Sequence, residues 1–423
     1  MRHGCWLIGL SLALVACADQ VGDEDLDDEA WLDGKGDGAS GSNIAATHLD
    51  VDLAGMRAVA TIELERNGNV ALEIGDLEIQ DVTDDRGHRK FRIVDGKLLV
   101  SRVRGPLVVG YAFRQHDNAD GLLPGGSTVT WPYFCGNVFP CHAQPADGTR
   151  FSLALSGVAG DKTALYPAEI AAEAPPYQLA WAVGAYAKLE LGETTAGTKV
   201  AAYYLPRGKT AATTGTRHLR AVFDWYEQTL GAYSFGREVA SVSVVWGEGL
   251  FGGMEHHPMW HVAVDAMSDE VTHAHEAAHG WFGDGVRIRC WEDFVLSEGT
   301  TSYLAARALS VVAGREADVW AEYRAELDAA IAEGGAPAWP RGCNQIDILE
   351  DKLFTNLPYM QGAFFYRDVA AVVGVDVLDA VIGRFYVAHR NRAAGMQDMI
   401  DAIKADTGFD PTPIAEARLR RKF

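Results

Sequence analysis

The chain has 423 residues, 48% hydrophobic and 22% charged, an ordinary globular composition with enough length for two domains. Its formal net charge of -21 argues against nucleic acid and against an anionic membrane surface as partners. Nothing in the composition sets an oligomeric state.

Arg2 and His3 precede an apolar run over residues 6–16, too short for a stable bilayer span and of signal-peptide length. The run closes on Leu14-Val15-Ala16-Cys17, which resembles a bacterial lipobox. That resemblance makes residues 1–17 a lipoprotein signal, with Cys17 lipidated and the exported protein anchored to the cell envelope through that lipid alone. The alternative is a signal peptide cut elsewhere and a secreted soluble protein. Residues 18–42 combine the acidic run from Asp23 to Glu29 with GKGDGASGS, a composition that buries too little apolar surface to fold, so a disordered tether is expected.

From residue 43 the pattern takes period two. Leu49, Val51 and Leu53 alternate with Asp50 and Asp52, Ala60, Ile62 and Leu64 with Thr61, Glu63 and Glu65, and Asp95-Gly96 offers a hairpin turn. Short strands continue to about residue 205, which predicts an all-β domain over 43–205. Residues 216–230 are the first clear amphipathic helix, with Gly231 as its stop, and open a second domain over 206–423. A buried strand over 239–246 follows, then residues 247–254 with four glycines, where backbone can lie close to a ligand. Helices are expected over 272–282, 292–312, 315–333, 361–373, 376–389 and 396–406.

The chemistry concentrates in 271–303, VTHAHEAAHGWFGDGVRIRCWEDFVLSEGTTSY. His275, Glu276 and His279 stand in the order H-E-x-x-H. On a helix the two imidazoles share a face and reach one cation, with Glu276 one step around. This suits a single zinc ion that holds a water while a carboxylate takes its proton. Hydrolytic zinc takes three protein ligands, and Glu298, with eighteen residues between it and His279, is the third. His273 lies about 200° around the helix from His275 and must pack elsewhere. His256 and His257 are adjacent on a strand and point to opposite faces, so they are read as supporting or surface residues rather than ligands. Once Cys5 and Cys17 are set aside, Cys135, Cys141, Cys290 and Cys343 allow three connectivities in an oxidising compartment. Pairing Cys135 with Cys141 and Cys290 with Cys343 keeps each bridge within one domain.

HEAAHGWFGD followed by WEDFVLSEG resembles the aminopeptidase N-type zinc metallopeptidases, whose usual wording is HELAHQWFG followed by WNDLWLNEG. GGMEH at 252–256 is similar to that family's GAMEN strand, and PYMQGA at 358–363 to its P-Y-x-K-G-A segment. The resemblance implies an α+β chain: a saddle-like all-β domain followed by a thermolysin-like, mainly helical zinc domain acting on peptides. It implies Glu276 as general base, Tyr359 as oxyanion donor, and Glu255, with Gly252 and Gly253, as the subsite for the substrate's free amino end. FPCHAQP at 139–145 resembles a family segment that reaches the site from the β-domain and nominates Gln144 for the same end. Asp293 aligns with a family acid that orients a ligand or caps the helix of Glu298. His256 replaces the family's Asn and Gln361 its usual Lys. His256 leaves open a zinc endopeptidase or other amide hydrolase; a surface-anchored binding protein on a peptidase fold is the remaining alternative. Longer members add a C-terminal helical domain, whose basic groups Arg418, Arg420, Arg421 and Lys422 either replace or, as a solvated helix end, do not.

Overall fold

The computed structural model describes residues 42–423 apart from 118, 119, 132, 248–251, 344, 347–352 and 354. The signal segment, Cys17 and the tether through residue 41 lie outside the described residues.

The first half is β-structure built on the alternation. A seven-stranded sheet has the order Glu169–Ala174, Thr149–Ser156, Ile44–Asp52, Arg57–Leu64, Leu107–Ala112, Glu78–Asp84, Gly87–His88. Leu49 and Val51 are buried while Asp50 and Asp52 are exposed, so the apolar set of each strand faces one core. A three-stranded sheet of Gly68–Glu73, Lys97–Val103 and Arg92–Val94 packs beside it. Its hairpin turns at Asp95 (φ 49°) and Gly96 (φ 74°), the left-handed pair that matches strand twist.

The change of sheet falls near residue 185 rather than 205. Ala187–Glu193 and Lys199–Tyr204 join Glu238–Val244, Met259–Ala263 and Gly253–Met254 in a five-stranded sheet of the second half. Alternation identified 187–204 as strand, but which sheet a strand joins depends on its neighbours. Lys199–Tyr204 runs parallel to Glu238–Val244, and helices α1 (Lys209–Gly215) and α2 (Leu219–Leu230) make the crossover.

The second half continues with α3 (Glu270–Ala278), α4 (Phe294–Ala313), α5 (Glu316–Glu333), α6 (Asn356–Val373), α7 (Val375–His389), α8 (Met396–Thr407) and α9 (Thr412–Arg418). Helix α6 starts five residues before the expected 361, because Thr355 accepts the N–H of Leu357 as a cap and a first-turn proline, Pro358, is tolerated. Helices α4 and α6 run side by side in backbone contact: a Cβ on Gly299 would meet Gly362 Cα at 2.6 Å, and one on Gly362 would meet Gly299 Cα at 2.4 Å. One turn on, Thr300 Oγ1 and Tyr366 Oη are 2.8 Å apart. This crossing brings the turn of Glu298 against that of Tyr359.

The disulfides are Cys135–Cys141 and Cys290–Cys343, each within one half. No helix among the described residues is long and apolar enough to cross a membrane.

Candidate metal centre

Helix α3 begins at Asp269, whose carboxylate accepts the N–H groups of Val271 and Thr272. It ends at Ala278, four residues short of the expected 282, and His279 is its C-terminal cap residue. Gly283 (φ 105°) lets the chain turn back beneath that histidine, where a Cβ would lie 2.7 Å from His279 Nδ1.

Three predicted ligands converge. His275 Nε2 is 3.0 Å from Glu298 Oε2 and 3.0 Å from His279 Nε2, and His279 Nε2 is 3.3 Å from the same carboxylate. His279 Nδ1 donates to the carbonyl of Phe282 at 2.9 Å, which fixes its tautomer and leaves Nε2 as a bare lone pair. Two imidazole nitrogens and a carboxylate oxygen facing one point are the donor set of zinc. The electrostatics ask for the same charge: burial works against charge on His279, yet Glu298, Glu255 and Glu276 together raise its pKa well above the ordinary value. Burial pushes Glu298 up, but the two histidines outweigh it and hold the carboxyl down at about 2. The residues fit a divalent cation.

The strand Gly253–Met254 lies against the base. A Cβ on Gly253 would stand 2.3 Å from Glu276 Cγ, and Gly252 has φ 114°, so both glycines serve close approach. Glu255, next along, is buried and joins Glu276 and His279 in a second cluster whose ligand atoms lie within 4.8 Å of one another. Burial, opposed by His279 and reinforced by Glu298, pushes its carboxyl up to about 7. Burial likewise raises Glu276 well above the carboxylate range, and its Oε2 has no hydrogen-bond partner among the described residues. Tyr359 is half-buried; its ring stacks on His275 at 5.7 Å between centroids and meets the edge of Phe294 at 5.8 Å.

Other expected positions resolve differently. Gln144 is exposed in a turn, its carbonyl accepting from Asp147 N–H, and no polar contact joins it to Glu255 or the histidine pair among the described residues. A loop residue's address depends on its turn, which the FPCHAQP wording does not encode. His256 and His257 are both buried, not surface. Asp293 accepts from Trp339 Nε1 (3.1 Å) and Met396 N–H (2.9 Å), anchoring α8 instead of capping α4 or holding a ligand. His273 bonds Ser241 Oγ and the Met267 carbonyl, away from the metal face. Arg418 pairs with Asp368, and Arg420 stacks over Trp339 and donates to main-chain carbonyls, so both are committed to packing the C-terminal segment. Sequence reasoning missed Asp284: it is fully buried, and burial with Glu255 raises its pKa against the pull of His279 and a backbone hydrogen bond from His257. Its only signal is the acid closing the WFGD wording.

Fold and site together define an H-E-x-x-H metallopeptidase architecture with a glutamate as third ligand. Residues 257–417 match the Peptidase family M1 domain. The chain is 26% identical over 305 residues to leucine aminopeptidase 2 of Pyricularia oryzae, covering 63% of this chain and 46% of that protein, so it spans about half of the relative's length. Among solved structures it is similar to a mutant M1 zinc metallopeptidase of Deinococcus radiodurans bound to a Tyr-Ser-Ala substrate (TM-score 0.72, 17% identity, 90% of this chain and 95% of that one). It is also similar to yeast LTA4 hydrolase (TM-score 0.74, 17% identity, 90% and 68%). The M1 domain over residues 257–417 and the fold shared with these structures are what the aminopeptidase N-type resemblance leads one to expect.

Proposed function

We propose that the chain is a zinc-dependent aminopeptidase that releases N-terminal residues from peptides. The observation that carries this reading is the placement of two buried carboxylates, Glu255 and Glu276, in one cluster with a metal-ligand histidine. His275, His279 and Glu298 hold the ion. When bound, zinc polarises the scissile carbonyl and lowers the pKa of a water to about 7.

The chain's own groups do the rest. Glu276, with Oε2 unpartnered among the described residues and a raised proton affinity, takes a proton there and hands it to the leaving amine. Glu255 accepts the substrate's ammonium group; a carboxylate buried beside other acids gains a counter-charge there, which is why a free amino end is selected. Tyr359 keeps its phenolic proton, since burial and then Glu298 push its pKa well above the ordinary value, and donates it to the developing oxyanion. We further propose export to an oxidising compartment and anchoring through Cys17; the two bridged cysteine pairs support the first part.

The test is hydrolysis of aminoacyl-4-nitroanilides beside their N-acetylated counterparts by wild type and Glu276→Gln. Cleavage of the free-amine series alone, abolished by the substitution, is the expected result. Cleavage of both series makes the protein an endopeptidase or other amide hydrolase, and cleavage of neither by the zinc-loaded protein makes it a binding protein.

A further inference from the structure

We propose that His257 is a positioning residue for both the general base and the amine subsite, seated in space that Gly280 leaves open. Helix α3 stops at Ala278, and the next N–H groups turn to later carbonyls: Gly280 N–H to Ala277 and Trp281 N–H to Ala278. The carbonyl of Glu276 is thereby left without its helical partner, an orphan at a helix end. His257 Nε2 supplies the missing donor at 2.7 Å. A carbonyl only accepts, so Nε2 carries the proton; Nδ1 is then bare and accepts from Tyr233 Oη at 2.7 Å. Burial holds the imidazole's pKa down to about 3, against the Glu276 carbonyl, so this tautomer stays neutral.

The same residue lies two positions after Glu255, in the turn that follows the strand Gly253–Met254. Its carbonyl accepts from Gln178 Nε2 at 2.9 Å, and the preceding His256 donates through Nδ1 to the Tyr177 carbonyl at 2.8 Å. Tyr177 and Gln178 precede residue 185, on the β-domain side. One dipeptide therefore ties three things: the helix of the base, the residue that receives the amine, and the β-domain.

Gly280 explains how the imidazole fits. A Cβ there would lie 2.6 Å from Tyr233 Cε2 and 3.0 Å from His257 Cε1. The family wording has glutamine at that position, and the side chain absent at 280 is the space that Tyr233 and His257 fill.

Only the activity arm of the test rests on the aminopeptidase reading. Zinc affinity, by competition with a chromophoric chelator, thermal unfolding, and kcat and KM on leucyl-4-nitroanilide are measured for wild type, His257→Leu, His257→Gln, Gly280→Gln and the double variant His257→Ala/Gly280→Gln. In His257→Leu, zinc binding weakens and KM rises, each about tenfold. His257→Gln, whose amide donates at one end and accepts at the other, recovers both to within about threefold. Gly280→Gln repeats the leucine defect, and adding His257→Ala to it restores part of the loss, because the two side chains compete for one space. Wild-type zinc affinity and KM in His257→Leu, or strictly additive effects in the double variant, overturns the assignment. If His257→Leu does not fold, His257→Gln and the Gly280 pair decide. If wild type cleaves no free-amine substrate, the aminopeptidase reading fails while zinc affinity and the Gly280 coupling still judge His257.

Discussion

Buried acids are treated in opposite ways at Asp84 in the β-domain and around the general base in the second half. In the β-domain Asp84 is enclosed by donors: Arg86 N–H and Nη2 at 2.8 Å each, Arg104 N–H at 3.0 Å, and Arg89 Nε at 3.5 Å. Burial pushes its carboxyl up, but these partners outweigh it and hold the pKa far below the ordinary range. In the second half Glu255, Glu276 and Asp284 are buried together with raised pKa values, and Glu276 Oε2 lacks a hydrogen-bond partner among the described residues. A structural acid is neutralised where it sits, whereas a working acid is kept short of partners until a cation and a substrate arrive.

The largest expected effect from breaking this contrast is that of Glu276→Gln, which removes the base and lowers kcat by about 10²- to 10⁴-fold while leaving thermal unfolding intact or raised, read by steady-state kinetics beside calorimetry. Tyr359→Phe follows, with about 3 kcal/mol of lost barrier stabilisation and little change in KM. Gly299→Ala should destabilise the catalytic half by about 1–3 kcal/mol in urea unfolding, since the added methyl meets Gly362 backbone, and lower activity as Glu298 and Tyr359 part. Asp84→Asn should lower stability by about 2 kcal/mol near pH 7 with activity per folded molecule unchanged. Asp84's folded pKa is depressed, so its contribution is present above the unfolded value of about 4 and is lost as pH falls through the folded value; the mutant's deficit must shrink in acid. The smallest effect is the reverse case. Glu255's folded pKa is raised, so stability is present below about pH 4 and lost as pH rises through about 7. In metal-free protein, Glu255→Gln should therefore raise the Tm by about 2 °C at pH 8 and leave it unchanged near pH 4.

The ligand set was legible because a helix turns a spacing of four into a shared face, and His275 and His279 obey that rule regardless of the rest of the fold. Tyr359 and Glu255 were legible only through the wording around them. Their residue types say nothing alone, and their placement depends on the Gly299–Gly362 crossing and on the contact of Gly253 with Glu276. Strands 187–204 were recognised as strands but set in the wrong half, because period two reports which face is buried and not which strand lies alongside. Gln144 stands apart from the cluster in an exposed turn, since a motif in a loop carries no geometry. The roles of His257 and Gly280 stayed hidden because each depends on a residue far away in sequence that fills or vacates the same volume.

The most direct test of the central claim, that His275, His279 and Glu298 hold one zinc ion on which peptide hydrolysis depends, is metal analysis joined to activity. The account predicts one zinc per chain, loss of leucyl-4-nitroanilide hydrolysis on exhaustive chelation, recovery with one equivalent of zinc, and no recovery in His279→Ala. Full activity in the chelated, zinc-free protein would contradict it.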